Sequence, residues 1–401
     1  MISSPLEQDR PWHIAHRTAA HIAAPLPLTH VALDAARGCT LARDISALIP
    51  VPAFDTAAMD GYAVSGEPPW TVVGCVLADR TANAPALTEG TAVEIATGAP
   101  VPAGASGVLP HERAERVGDT VTGPVAPGQH IRRRGEECAE GTSVLMAGSR
   151  VTPAAQGLVA GLGHDTLPVH PKPRVSVLVT GDELITTGLP RHGEVRDAIG
   201  PMLTGIIEHA GGILTGYDHL GDTAEKLAGG LVSAARSADA GNSDALVVCG
   251  ASSAGPADHL RAVLHDAGAE MLVDGVACRP GHPQLLARLP EGRPVVGLPG
   301  NPYAALVAAL TLLTPVLDAL SGRQQPSLRR LPLSGEVTAH ARDTRVITAR
   351  DAGNHLVAVG RDKPGLLWGA ALADVLAVVP PQWTGAPVEV LDLPGVPRGA
   401  L

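Results

Sequence analysis

Three short stretches of this chain put carboxylates and glycines where chemistry could follow. Residues 180–183 read TGDE, residues 250–258 read GASSAGPAD and residues 297–302 read GLPGNP. Each follows an apolar run that reads as a buried strand. Glycine lets backbone N–H groups approach a ligand closely, and helix N-termini behind such loops favour anions. The carboxylates of Asp182, Glu183 and Asp258 suit ring N–H donors or a hard cation such as Mg2+. One such loop is weak evidence; three that converge make a ligand site. Asp182 and Glu183 also fit a plainer role as N-caps of a following helix. Two further stretches lie upstream. FDTAAMDGYAV, at 54–64, sets Asp55 and Asp60 among small residues, and HIRRRGEE, at 130–137, sets three arginines against two acids. A guanidinium cluster suits phosphate or another oxyanion; the alternative is a solvated charged turn.

The elements that must position these residues change character along the chain. Residues 1–50 carry helix-like patterning and hold His13, His16, His21 and His30. No cysteine partner or H-E-x-x-H spacing accompanies them, so they read as solvated or capping side chains rather than zinc ligands. Residues 51–139 alternate short apolar runs with Gly and Pro, the mark of a β-rich subdomain. LPVHPKPRV, at 167–175, reads as a linker. Residues 1–50 and 140–172 together form an N-terminal linker or elongated subdomain. From 173 to 325 the rhythm is strand, loop, helix, which predicts a central three-layer α/β domain with a mostly parallel sheet. Ligands of such sheets bind outside the carboxyl ends of the strands. Residues 326–401 return to short strands and predict a small C-terminal β-barrel. The fold class is thus multidomain, α/β plus β.

Bulk properties narrow the function. A chain of 401 residues is too long for one hydrophobic core. With 45% apolar and 17% charged residues it is an ordinary globular composition. The net charge of −10 argues against nucleic acid as a partner. Arginine carries nearly all the positive charge, for the lysines are Lys172, Lys226 and Lys363 alone. Five scattered cysteines without C-x-x-C read as reduced thiols, and the first residues lack a signal-peptide pattern. AALVAALTLLTPVLDAL is short for a membrane span and reads as a buried helix. The expectation is a cytoplasmic protein that touches neither membrane nor nucleic acid.

PAFDTAAMDGYAV, IATGAPVPAGASGVL, IRRRGEE, TGDEL and GLPGNP occur in one order across nearly the full chain. In that order and spacing the chain resembles the molybdopterin molybdenumtransferases, the MoeA proteins and the gephyrin E-domain. The resemblance implies an elongated homodimer that inserts molybdenum from molybdate into adenylylated molybdopterin, with Mg2+ and release of AMP. It implies a molybdopterin adenylyltransferase as the upstream partner, and a cleft between the middle domain of one subunit and the MDGYAV domain of the other. On that pattern Asp60, Glu183, Asp197 and Arg279 are catalytic. Thr97, Arg133, Arg134 and Glu137 bind cofactor from one side. Thr180, Gly181, Asp182, Gly250, Ser253 and Asp258 bind it from the other, with His282, Pro299, Gly300 and Asn301. Asp60, Asp182 and Asp258 are the implied metal ligands.

The chain departs from the family pattern at several places. A K-P-G-K-P loop reads RPGHP here, so Arg279 and His282 replace lysines. G-N-P-V-S reads GNPYAA, with Ala304 for serine. G-G-V-S-V-G reads GASSAG, keeping Ser253 and Gly255; an Asp-x-Asn becomes Asp197-Ala198-Ile199; and a serine-rich stretch becomes GLLWGAALAD. Losing one charged hydrogen bond to molybdate would cost about 1.5–3 kcal/mol. Two readings follow: an active transferase with a drifted molybdate pocket, or a divergent non-catalytic relative that binds molybdopterin or a partner protein.

Overall fold

The computed structural model describes residues 9–78, 86–235, 243–250, 259–324 and 327–395. Two compact units divide the chain. The smaller comprises His30–Arg37 and Arg43–Leu167; the larger comprises Met1–Thr29, Gly38–Ala42 and Pro168–Leu401.

In the smaller unit a six-stranded sheet runs in the order Glu115–Val117, Thr120–Thr122, Trp70–Val76, Thr91–Ile95, Gly61–Val64, Gly107–Pro110. The GYAV strand is paired on both sides, and all four of its residues are buried. Tyr62 and Val64 pack with Trp70 and Leu109 in one apolar cluster, while Ala63 packs with Val93 and Ile95 in another. This period-two division is what a pleated strand imposes. Gly61 is required by space: a Cβ there would stand 2.0 Å from the Leu109 carbonyl oxygen.

The larger unit holds the expected α/β sheet. Its strands are β1 (Arg174–Thr180), β2 (Ile213–Leu220), β3 (Ala245–Cys249), β4 (Glu270–Asp274), β5 (Leu285–Arg288) and β6 (Pro294–Leu298). They lie in the order β2-β1-β3-β6-β5-β4. The first four are mutually parallel; β5 is antiparallel to β6, and β4, antiparallel to β5, runs again in the direction of the first four. Four helices cover the sheet: α1 (Ile199–His209), α2 (Ala224–Ala235), α3 (Leu260–Asp266) and α4 (Pro302–Ala308). Alternate strand residues enter separate cores. Val175, Val177, Val247 and Val296 join α1 and α4 in one cluster; Leu178, Leu246, Val248 and Val295 join α2 and α3 in the other. Each such fully buried aliphatic side chain contributes about 1.5–3 kcal/mol. These strands are therefore stiff, and the loops leaving them start from fixed points.

The apolar run after Asn301 is indeed a buried helix. It stays helical over Pro302–Leu320, with a π-turn at Ala309–Leu313 ahead of Pro315. Proline donates no N–H, so the ladder must change there. The helix Trp12–Ala20 packs on this run, and the Trp12 indole donates to the buried Thr311 hydroxyl at 3.0 Å. An eight-stranded sheet follows the path Arg10–Pro11, Val276–Arg279, Thr344–Asp351, Val375–Val379, Val388–Asp392, Arg330–Leu331. Two of its strands come from outside residues 326–401, and the described pairings leave the path open.

Some local expectations change. Between residues 9 and 50 only Trp12–Ala20 and Leu33–Ala36 are α-helical; the rest is short strand and turn. His16 is partly buried and stacks on Trp12 at 5.1 Å between ring centroids. Burial pushes its pKa down to about 4 against the charge of Glu389, so it is no solvated histidine. The proline-flanked segment read as a linker carries the strand Thr166–His170. Within it Leu167 and Val169 are fully buried, and Val169 pairs with Leu41. Alternating burial, invisible beside three prolines, decides that segment.

Candidate functional site at the carboxyl edge of the parallel sheet

Strands β1, β3 and β6 end side by side, and their loops are bonded to one another. The Thr180 hydroxyl donates to the Cys249 carbonyl at 3.2 Å, and the Gly250 N–H donates to the Leu298 carbonyl at 3.2 Å. A Cβ on Gly300 would touch Gly250 Cα at 3.7 Å. Gly250 adopts a φ of +94°, and a Cβ there would lie 2.6 Å from the Thr180 carbonyl oxygen, so only glycine fits. Thr180, Gly181, Gly250, Pro299, Gly300 and Asn301 thus form one continuous floor. Pro299 is buried, whereas Gly300 and Asn301 are exposed. Asn301 stands at the start of α4 and makes no side-chain cap bond, which leaves its amide for a ligand. Ser253 and Asp258 lie outside the described residues.

Asp182 and Glu183 project from this floor as exposed side chains. They do not cap a helix. After them the chain pairs Leu184–Ile185 with Val195–Arg196, and the Val195 N–H donates to the Glu183 carbonyl at 2.8 Å. The next helix, α1, is capped instead by Asp197. Its Oδ1 accepts the N–H groups of Ile199 and Gly200 at 2.9 and 3.1 Å, and its Oδ2 accepts the Tyr217 hydroxyl. Burial and the Asp197 bond push the Tyr217 phenol well above its ordinary range. Both oxygens of Asp197 therefore serve the structure of α1 and β2.

Sequence reasoning missed Asp222 and Lys226. Asp222 follows the end of β2, and its Oδ2 accepts the Asp182 N–H at 3.1 Å. The signal was faint: GDT ahead of a helix reads as an ordinary cap. Lys226, on the first turn of α2, reaches back over Gly221 towards Asp182.

The RPGHP turn belongs to the same edge. Strand β5 is antiparallel to β6, with Leu285 opposite Gly297, so residues just before Leu285 lie beside the end of β6. A Cβ on Gly281 would stand 3.3 Å from the Ala304 carbonyl oxygen, placing the turn against the start of α4. Both of its basic side chains are already bonded. Arg279 Nε donates to Asp343 Oδ2 at 2.5 Å, and His282 Nε2 lies 2.6 Å from Asp9 Oδ1. Burial opposes ionisation of Asp343, but the Arg279 bond and the charges of His340, Arg279 and His282 outweigh it and hold the carboxyl below its ordinary value. The altered GNPYAA residues are structural: Tyr303 is buried and donates its hydroxyl to the Val346 carbonyl at 3.0 Å, and Ala304 is buried beside it.

The smaller unit gathers a second set of groups. The Thr97 N–H donates to Asp60 Oδ1 at 2.7 Å. That bond, helped by the Thr97 side chain and by His111, holds the exposed Asp60 carboxyl below its ordinary value. His111, which sequence reasoning passed over, stands edge-on to Tyr62 at 4.9 Å. Strand Ile131–Arg132 pairs with Thr56–Ala57 and brings the arginines to Asp55. Asp55 accepts the Arg134 N–H at 2.8 Å and the Arg133 guanidinium at 2.6 Å, which together lower its pKa. The Arg133 N–H in turn donates to Glu136 at 2.7 Å. Glu137 bonds through its backbone to Val51, and its side chain is exposed.

Among the described residues no group of three or more His, Cys, Asp or Glu side chains could hold a metal ion. Asp222 meets Asp182 through the Asp182 backbone N–H, and the Asp182 side chain is exposed. Mg2+ commonly takes one or two carboxylates and fills its shell with water and substrate phosphate, and an exposed carboxylate such as that of Asp182 is a donor of that type.

Two family models match successive stretches of the chain. The MoeA N-terminal region (domain I and II) matches residues 12–163, and a probable molybdopterin binding domain matches residues 176–319. Molybdopterin molybdenumtransferase 2 of Mycobacterium tuberculosis is 37% identical over 319 residues, covering 75% of this chain and 76% of that protein. The molybdopterin molybdenumtransferase of Synechococcus elongatus is 32% identical over 328 residues, covering 78% and 80%. The crystal structure of a molybdopterin biosynthesis MoeA protein from a Pyrococcus superposes with a TM-score of 0.77 at 26% identity, over 96% of each chain. The chain belongs to the molybdopterin molybdenumtransferase family, transferases of molybdenum cofactor biosynthesis.

Proposed function

We propose that this protein inserts molybdenum, delivered as molybdate, into adenylylated molybdopterin and releases AMP, and that the carboxyl edge of its parallel sheet holds the pterin. The observation that carries this reading is the union of three loops through Thr180–Cys249, Gly250–Leu298 and Gly250–Gly300. The exposed glycines Gly250 and Gly300 leave room for a flat polar ring, and the exposed carboxylates of Asp182 and Glu183 suit N–H donors from it. Glu183 is the group placed to orient the ring or take a proton, because Asp197 is engaged at both oxygens. Asp182 would hold Mg2+, which supplies charge neutralisation for the substrate phosphates. Asn301 and the backbone at the start of α4 favour an anionic group beside them.

The proposal includes a cytoplasmic homodimer in which the groups around Asp60 and Asp55 serve the same reaction, fed by a molybdopterin adenylyltransferase. It also takes the central domain as three layers, on the strength of the two apolar clusters that divide the strand residues. Expression in a bacterial strain lacking its own molybdopterin molybdenumtransferase tests the reading. Restored molybdoenzyme activity supports it.

One observation favours the second reading, of a relative that binds molybdopterin without inserting metal. Arg279 and His282, the basic side chains of the RPGHP turn, are both bonded to carboxylates of the same chain. On that reading the strain stays deficient although the purified protein retains bound molybdopterin.

A further inference from the structure

We infer that His219 is a positioning residue for this site: together with Asp222 it clamps both poles of the Gly181–Asp182 peptide group and so fixes where the Asp182 and Glu183 carboxylates stand. The catalytic consequence rests on the function proposed above; the clamp itself does not. His219 Nε2 lies 2.6 Å from the Gly181 carbonyl oxygen. A carbonyl only accepts, so Nε2 carries the hydrogen and donates it. Asp222 Oδ2 accepts the Asp182 N–H at 3.1 Å. The Gly181 carbonyl and the Asp182 N–H belong to one planar peptide group. Its two poles are therefore held by two side chains from the end of β2, 38 and 40 residues further along the chain.

The clamp matters for what it holds. β2 pairs with β1 as far as Leu220 opposite Thr180, with His219 opposite Val179, so the donor stands on a stiff strand. Beyond Thr180 that ladder ends. Gly181 has a φ of +143°, and a peptide that follows a glycine has wide freedom to rotate. Its oxygen also accepts the Leu184 N–H at 3.2 Å, a turn bond that leaves the N–H pole unheld. The Glu183 carboxylate lies against the same peptide: a Cβ on Gly181 would stand 3.0 and 3.1 Å from its two oxygens. Rotation of this one peptide would thus displace Asp182 and Glu183 together. A displacement of about 1 Å in a reacting group can cost about a hundredfold in rate, so a donor that adds nothing to the chemistry still decides whether the carboxylates meet the ring.

Two measurements on the full-length protein test the inference: hydrogen exchange of the Asp182 amide, read by NMR, and turnover of adenylylated molybdopterin. In His219→Ala the Asp182 amide should exchange about fivefold faster, the worth of one ordinary hydrogen bond. Turnover should fall about tenfold or more with the fold intact by circular dichroism. His219→Gln places an amide N–H where Nε2 stood and should restore both values. His219→Asn, whose amide is too short to reach, should behave as His219→Ala. A histidine that only filled space would not separate Gln from Asn. Wild-type exchange in His219→Ala, or equal exchange in the Gln and Asn variants, overturns the clamp. Exchange in the predicted order with wild-type turnover in every variant refutes the positioning role. If the wild-type protein turns nothing over, the proposed function falls and takes the catalytic consequence with it, while the order of exchange rates still decides the clamp.

Discussion

Arg279 Nε lies 2.5 Å from Asp343 Oδ2, so the guanidinium of the RPGHP turn is bonded within its own chain before any ligand arrives. Replacing Asp343 by Asn frees it. Molybdate affinity, measured by calorimetry, should then rise about three- to tenfold, the value of one partly exposed charged bond. An unchanged affinity would remove Arg279 from the oxyanion site.

The same pair sets a pH dependence. Asp343 is held below its ordinary value, so its stabilising effect is fully present above the unfolded carboxylate pKa of about 3.9 and is lost as pH falls through the lower folded value. Arg279 is mostly exposed, which limits the effect to about 1 kcal/mol or less. Denaturation midpoints of wild type and Asp343→Asn should differ at pH 6 and converge at strongly acidic pH. A gap that persists there would contradict the pairing.

His282 meets Asp9 at 2.6 Å. A lysine at 282 carries a fixed charge and a longer reach, so His282→Lys combined with Asp9→Asn should strengthen molybdate binding about tenfold, one charged hydrogen bond's worth. The double variant binding no better than wild type would place the oxyanion elsewhere.

Asp197 caps α1 and takes the Tyr217 hydroxyl. Asp197→Ala should therefore lower unfolding stability by about 1–2 kcal/mol, and any loss of turnover should track the folded fraction. A fully folded, stable and inactive Asp197→Ala would return this residue to direct chemistry.

Gly250→Ala forces a side chain onto the Thr180 carbonyl in a left-handed backbone. It should destabilise the protein by about 1–3 kcal/mol and weaken pterin binding with it. Chemical denaturation and a pterin titration of the same sample check both effects; wild-type values for both would break the link between the loops.

The sheet and the carboxyl ends of its strands were legible because they depend on local patterns. A buried apolar run ending in TGD, CG or LPG announces a strand and its carboxyl end wherever it occurs. Interactions across long separations were not legible. Asp343 and Asp9 stand 64 and 273 residues from the basic side chains they bond, and no local pattern links them. Asp222 and Lys226 hid within an ordinary helix start. Asp197 is hard to read for a related reason: a carboxylate two residues before a helix looks alike whether it caps or catalyses, and its Tyr217 contact, 20 residues on, is announced by no local pattern.

The central claim is that the joined loops at this sheet edge carry out molybdenum insertion, with Glu183 at the reacting ring. The direct measurement is molybdate-dependent turnover of adenylylated molybdopterin by the purified protein, with AMP counted, for wild type and Glu183→Gln. The account predicts AMP release and cofactor formation by the wild type and loss of both in Glu183→Gln, with folding unchanged. Turnover by Glu183→Gln equal to the wild type, or none by either protein, would contradict it.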